Sequence, residues 1–566
     1  VTGVPGGTNN QNGRFVFSDV RAGAATTGVG IANAAMGLFD TYAEIGPRAY
    51  TPYRGNTFEW FAQDAWRATQ KLKLEYGVRY TIRNPYYYSL WRNMAVFDPN
   101  RYDPALAVEM DPRTGNVLTT DPRRRFNGVY IPGQGWPEAA RGRVAIADTG
   151  EFDFLFDGRS KSPGVTQYGN FQPRFGLAYS LNSRTVIRAG GGRFMAQPGV
   201  SDNIFLGGNP PFQPMVSIAN GVADNPGGGS RTFFPQFFMT TDALFKIPNA
   251  WNWSVGVQRE LGFATTVEVA YVGRTGLHLE RERELNALRP GTLQANPGVN
   301  VNALRPFKGF AFIPMGETSA RSRYNGFQLE VNRRFARGFS YGFAYTLSES
   351  FDNASGRRDR MINPFDDTLN WGKSGFDTRH VAVINFIYEL PFLKAQRGPV
   401  GKILGGWQVT GAVQFQTGTP FTVATGDDFP GIGSSDAKPW NVNGDVFIPR
   451  GERRFSEAPG DGNFWFRTRN NDGSPIFTIP APGTFGNQNR NSLSMHHPGF
   501  QSWDLAGFKD FAITETHRVT FRAEFFNFPN HPNWGGAQTD PRNARFGQVV
   551  SKGGNRNIQL SLRYSF

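Results

Sequence analysis

From residue 71 to residue 82 the chain changes character at every step. Leu72, Leu74, Tyr76, Val78, Tyr80 and Ile82 are apolar or aromatic, and Lys71, Lys73, Glu75, Gly77, Arg79 and Thr81 stand between them. A period of two is a strand with two unlike faces. Strands of soluble sheets usually run about five or six residues, whereas a tilted strand needs about nine to eleven to cross a bilayer. The same alternation returns in Phe339, Tyr341, Phe343, Tyr345 and Leu347, and in Val519, Phe521, Ala523 and Phe525. It returns last in Ile558, Leu560, Leu562, Tyr564 and Phe566, where the chain ends on an aromatic. Charges on the second face would be costly in hydrocarbon and cheap in a wet lumen. The pattern therefore predicts an all-β fold: a transmembrane antiparallel β-barrel of the outer-membrane type.

The spacing of these strands agrees. Tight turns are expected at Thr69-Gln70, Asn182-Ser183, Gly262-Phe263, Ala336-Arg337 and Ile513-Thr514, with a longer one from Pro391 to Gly405. They alternate with wide connections near 18–56, 84–169, 195–248, 275–322, 350–376, 418–500 and 528–555. Loops this long are foreign to a compact soluble domain, but a barrel has short periplasmic turns and long extracellular loops. Pairing the two classes predicts about fourteen strands: 11–17, 57–68, 71–83, 170–181, 184–194, 249–261, 264–274, 323–335, 338–349, 377–390, 405–417, 501–512, 515–527 and 556–566. The span 11–17 is short, Val186 and Ile187 blur the alternation of 184–194, and a further hairpin could lie around 141–156. The 68 Gly, 38 Pro and 51 Phe of the 566 residues suit turns, loops and interfacial aromatics.

The absence of cysteine excludes a disulfide scaffold and any thiolate metal site. The net charge of +14 comes from dispersed arginines with no basic block, which argues against a nucleic-acid partner. The chain opens at Val1, without Met or signal peptide, and reads as a processed or partial product, so a missing export sequence is no evidence for the cytoplasm.

The hairpins also carry text. FEWFAQDAWRATQKLKLEYGVRY spans Phe58 to Tyr80, and NFQPRFGLAYSLNSRTVIRAGGGRF spans Asn170 to Phe194. SRYNGFQLEVNRRFARGFSYGFAYTLSESFDNAS spans Ser322 to Ser355, DTRHVAVINFIYELPF Asp377 to Phe392, GGWQVTGAVQFQTGTPFTV Gly405 to Val423, and FRAEFFNFPNHPNW Phe521 to Trp534. In that order they resemble the TonB-dependent receptor superfamily, specifically its Oar-like members, whose full chains begin with a carboxypeptidase-regulatory-like domain. The resemblance implies that 1–566 is the barrel domain, part of a barrel commonly of 22 strands, and that plug, coupling box and first strands lie outside it. It implies passage of a bulky extracellular ligand across the outer membrane of a Gram-negative bacterium, driven by the TonB-ExbB-ExbD complex. It further implies that Phe566, with Tyr564, Leu562, Leu560 and Ile558, is the closing strand read by the barrel-assembly machinery.

Other candidates rest on the residues alone. Trp60, Trp66, Tyr80 and the run Tyr86, Tyr87, Tyr88 fall near strand ends, as a lipid-interface girdle would; ligand stacking is the other reading of the run. Asp352, Asp359, Asp366 and Asp367 in one loop, and Asp427, Asp428 and Asp436 in another, could hold calcium, although their spacing matches no EF-hand; no other cofactor is expected. Of the six histidines, His278, His380, His496, His497, His517 and His531, the pair His496-His497 lacks the nearby acids of a strong metal site and reads as solvated loop residues, and His380, after Asp377 and Arg379 at a strand start, reads as a rim hydrogen bond and not a catalytic group. Gly190 to Gly192 lacks the GK[ST] ending of a nucleotide loop, and no nucleophile elbow or HExxH is present, so no enzyme is expected. The alternative function is structural or adhesive, with the long loops gripping a neighbouring cell or matrix.

Overall fold

The computed structural model describes residues 14–19, 25–45, 51–83, 88–196, 206–212, 215–225, 230–231, 235–453, 463–491 and 494–566. Thirteen long strands follow one another in chain order through a single antiparallel sheet. They are β1 (Thr57–Arg67), β2 (Leu72–Arg83), β3 (Gln167–Asn182), β4 (Thr185–Met195), β5 (Asn249–Gly262), β6 (Thr265–Glu284) and β7 (Pro314–Ala336). They continue as β8 (Phe339–Asp352), β9 (His380–Glu389), β10 (Trp407–Gln416), β11 (Phe500–Ala512), β12 (Arg518–Phe526) and β13 (Asn557–Ser565). Among the described residues no helix is long and apolar enough to cross a membrane.

The register keeps the apolar row on one face from strand to strand. Leu74 stands opposite Leu177, Leu177 opposite Ala189, Ala189 opposite Val255, and Val255 opposite Tyr271. Tyr271 then meets Phe327, and Phe327 meets Leu347. Further along, Val331 meets Phe343, Phe343 meets Ile384, Ile384 meets Val413 and Val413 meets Trp503. Leu505, Phe525 and Ile558 complete the series. A one-residue slip at any rung would turn a whole strand inside out, so this agreement fixes the sheet. Ile187 falls in the apolar row, opposite Tyr179 and Val257, and Val186 in the polar one, which resolves the blurred alternation of β4. Two glycines of the apolar row are roofed by aromatics across the rung: Trp253 covers Gly273 and Phe386 covers Gly411, leaving no room for a Cβ at either. The accessible surface is 29961 Å² for 62.8 kDa, well above the roughly 20,000 Å² of a compact soluble chain that size. A one-layer wall with an outer and an inner surface accounts for the excess.

Three sequence expectations need correction. Arg14–Val16 is not a wall strand: it pairs with Thr41–Ile45, in a separate sheet with Met215–Ala219 and Ser230–Arg231. Phe15, Val16 and Phe17 run together without alternation, and Phe15 packs on Phe39 at 5.2 Å and Tyr42 at 4.6 Å. Among the described residues the wall therefore has thirteen long strands, not about fourteen. The hairpin considered near 141–156 is a helix, Ala145–Thr149, ended by Gly150 at φ 70°, and then a 3₁₀ turn, Asp153–Leu155. Val144 and Ala147 bury on one side at helical spacing. Finally, β6 and β7 run far past 264–274 and 323–335. A register shift between Gly276 and Leu279, with His278 at φ 56°, redirects β6, and pairing resumes at Leu279–Ala320 and Arg281–Glu317.

At the end of the wall opposite the tight turns the long connections fold into a layer with its own cores. One gathers Phe97, Phe126, Ile131, Phe238, Phe310 and Ile313; another gathers Phe421, Val423, Trp440, Phe466, Ile476 and Phe477.

Candidate functional site

The second face of the wall carries the polar rows. Arg79 pairs with Glu59 at 3.5 Å, Lys73 with Glu75 at 2.5 Å and Arg522 with Glu524 at 2.6 Å, all on strand positions out of phase with the apolar row. Near the tight-turn end of β12 and β13 a concavity of about 390 Å³ is lined by Arg518, Arg522, Arg563, Thr520, Ser561 and Ser565. These charges face water because the alternation sets them on the face opposite the apolar row.

The loop layer is tied to the tops of β6, β7 and β8 by arginine–carboxylate networks. Arg281, 3% exposed, donates to Glu317 at 3.0 Å, to Ser319 at 2.7 Å and to Asp367 at 2.5 Å. Arg283 joins Glu317 at 2.8 Å. Burial alone would raise the Glu317 carboxyl, but hydrogen bonds from Arg283 and Ser319 and the charges of Arg283 and Arg281 hold it below the usual carboxylate range. Glu282 accepts from Arg358 and from Arg360 at 3.3 Å, and Arg360 reaches on to Asp436 at 3.0 Å, linking the 350s to the loop 418–500. Arg305, almost fully buried, donates to the carbonyls of Asn286 at 2.6 Å and Gly433 at 2.8 Å and lies 4.6 Å over the ring of Phe312. Buried arginines with several acceptors each are rigid staples, because leaving any of them unpaired is costly.

The four aspartates considered for calcium are each engaged. Asp352 accepts from Arg490 and Ser355, and Asp359 from the backbone N–H of Ser355 at 2.8 Å and of Gly356 at 3.0 Å. Asp366 accepts from Thr368, while Asp367 accepts from Arg281 and Asn353. In the other loop Asp428 accepts backbone N–H groups of Ile432 and Gly433, and Asp427 meets Arg542 at 3.1 Å. Among the described residues no three His, Cys, Asp or Glu side chains converge as metal ligands would.

His496 and His497 border a groove of about 1070 Å³ where the loop 418–500 meets the upper ends of β9, β10 and β11. Lys373, Arg379, Phe447 and Trp465 also line it. His497 stacks on Phe421 at 4.5 Å and accepts the Ala537 N–H at 3.2 Å, while His496 lies 3.4 Å from the Lys373 ammonium. Burial lowers both imidazoles from their usual 6.5, and Lys373 lowers His496 further, Asp377 opposing it. The folded layer therefore holds them neutral. Its stability is full above their unfolded value and falls as pH drops below about 6.5. Hydrogen exchange in residues 418–425 and 494–499 should accelerate between pH 7.5 and about 5; equal protection, after correction for intrinsic exchange, would contradict this assignment.

Trp60, Tyr80 and Phe171 form a stacked run across β1, β2 and β3, with centroids 6.1 and 4.6 Å apart, at the loop end of the apolar face. Trp66 lies at the opposite end of β1, beside the tight turn, 54% exposed. Ile558, Leu560, Leu562 and Tyr564 face the same way in β13, and Phe566 follows it. Tyr88 is described, with Lys161 4.1 Å from its ring; Tyr86 and Tyr87 lie outside the described residues. The sequence reading missed the arginine staples. Their one signal was the alternating charge of Glu280 to Glu284, which marks a strand that has left the bilayer.

Residues 6–559 match the family described as an outer membrane beta barrel domain. The chain belongs to that family. It is a protein of the outer membrane of a Gram-negative bacterium, and the apolar row of the wall is its lipid face. No curated protein matches it. Among solved structures, FpvA of P. aeruginosa, in complex with heterologous pyoverdines, is 11% identical, with a TM-score of 0.38 over 94% of this chain and 40% of its own. YddB from Escherichia coli, an outer membrane transporter, is 9% identical, with a TM-score of 0.40 over 93% of this chain and 55% of its own. The ferric-catecholate import receptor Fiu from E. coli K12 is 10% identical, with a TM-score of 0.37 over 93% and 45%. This chain thus spans about half the length of such structures or less.

Proposed function

We propose that this chain is the barrel wall and outer loop layer of an Oar-like, TonB-dependent transporter that passes a bulky substrate across the outer membrane. The observation that supports it best is the pairing of a charge-lined inner face with a loop layer stapled by buried arginines at one end. Such a layer can present a specific surface to a ligand above a water-filled path. The quoted hairpin motifs support the superfamily reading. Among the described residues β1 pairs only with β2 and β13 only with β12. An unpaired edge in hydrocarbon is prohibitively costly, so the proposal includes further strands that pair with both edges and complete the wall, up to the 22 of the superfamily. A plug and a coupling box reached by TonB-ExbB-ExbD, and delivery by the barrel-assembly machinery, belong to the same reading. Chemical turnover has no part in it.

Cells carrying the full-length protein should take up its ligand only while the energised inner-membrane complex is intact. Uptake indifferent to that complex would contradict the proposal. The depth of the loop layer favours a second reading, surface attachment. In that case removal of 418–500 abolishes adhesion and leaves solute passage intact; transport predicts that passage or its selectivity changes with it.

A further inference from the structure

The connection from β9 to β10 is the one tight-end turn that carries a helix among the described residues, Gly398–Leu404. Two side chains of the lipid-facing row hold that helix. Lys509 on β11 and Trp407 on β10 stand opposite each other, in the same row as Val409, Leu505 and Phe511. The Lys509 ammonium donates to the carbonyls of Gly405 and, at 3.3 Å, Ile403; the Trp407 indole N–H donates to the Ile403 carbonyl at 3.1 Å. The helix is therefore seated on the outer surface of the wall, not across its mouth. Gly405 packs so closely on the Leu393 carbonyl that no Cβ fits, which draws Phe392 and Leu393 beside the helix.

What this turn shows to its surroundings is amphipathic. Phe392, Leu393, Val400, Ile403 and Leu404 are each between 49% and 63% exposed. Lys394 is held by Glu389 at 2.9 Å, and Arg397 and Lys402 are exposed with no carboxylate in ion-pair contact among the described residues. The apolar group continues a ring of exposed side chains at the same end of the wall, Phe263, Ile513 and Phe566. An apolar face with cations at its border, continuous with a lipid-facing wall, has the chemistry of an interfacial anchor.

We infer that the Pro391–Gly406 turn is a membrane anchor that inserts Val400, Ile403 and Leu404 into the periplasmic leaflet of the outer membrane and selects anionic phospholipid headgroups through Arg397 and Lys402. It sets the depth of the wall at its tight-turn end and gathers acidic lipid around β9 to β11.

These 566 residues contain no cysteine, so an Ile403→Cys substitution in the full-length protein, with any cysteine outside them replaced by serine, accepts a single bimane label. The labelled protein is folded into phosphatidylcholine vesicles containing phosphatidylglycerol, with bromine on the acyl chains of one lipid or the other. Heat-modifiable migration checks folding, and Val400→Cys serves if Ile403→Cys does not fold. Quenching is expected from both lipids, with phosphatidylglycerol favoured about fivefold per cation. Arg397→Gln with Lys402→Gln should equalise the two lipids and leave quenching by phosphatidylcholine in place. Equal quenching in the parent label would overturn the inference. So would a label that neither lipid quenches and that is slow to react with aqueous reagents in its free thiol form, which would assign the face to a protein instead.

Discussion

Phe343→Arg is expected to cost the folded wall about 2–4 kcal/mol and to leave most of the protein uninserted, whereas Ala344→Arg, one residue on, should cost little. Phe343 stands between Val331 and Ile384 in the apolar row, several residues from either end of β8. A guanidinium there meets hydrocarbon on every side and lies too far from the headgroups to reach them easily. Ala344 projects to the other face, opposite Glu330, which would receive the new charge. Urea titration of folding into vesicles, followed by heat-modifiable migration, reads both variants. Equal costs would mean that the two rows do not see different solvents.

The second large effect belongs to the loop layer. Arg281→Ala should cost about 3–5 kcal/mol locally, toward the low end because Arg283 still pairs with Glu317. It removes the donor that Glu317, Ser319 and Asp367 share, and it leaves the Glu317 carboxylate in a site 5% exposed. The wall below should be untouched. Hydrogen exchange should therefore rise in residues 279–284, 314–320 and 365–370, with the protection of β8 to β11 unchanged. Lower pH should act in the same direction. Glu317 is held below the usual carboxylate range, so its contribution is complete above about 4.5 and lost as pH falls through its folded value. A variant whose wall melts along with its loops would show that the two are one cooperative unit.

These two sites mark the division between what the sequence disclosed and what it hid. Phe343 was legible because a membrane-crossing strand has a local code: period two, a length set by the bilayer, and a tight turn, expected at Ala336-Arg337 and found one residue on, at Arg337-Gly338. The lipid row from Leu74 to Ile558 follows from that code with no knowledge of tertiary contacts. Arg281 was hidden because its partners are far off along the chain: Glu317 across a rung and Asp367 in another loop. Polar, Gly-rich loops carry no periodicity, so neither the composition of their apolar cores nor the arrangement of Arg305, Arg360 and Arg490 could be read in advance. The same limit explains the short strand Arg14–Val16, whose Phe15 is claimed by Phe39 and Tyr42, and the helix at Ala145–Thr149, which meets the core through Ala147, the partly buried Ile146 and the preceding Val144. Lys509 is the instructive exception inside the wall. A lysine in the lipid row looks like an error of alternation until the carbonyls of Ile403 and Gly405 are seen to receive it.

One face of the sheet touches lipid while the other touches water. A cysteine scan of β8 from Phe339 to Leu347, one bimane-labelled site at a time in vesicles with brominated acyl chains, measures that directly. Strong quenching is expected at 339, 341, 343, 345 and 347, and weak quenching at 340, 342, 344 and 346. Uniform quenching, or a maximum at every third or fourth residue, would contradict that division of the two faces.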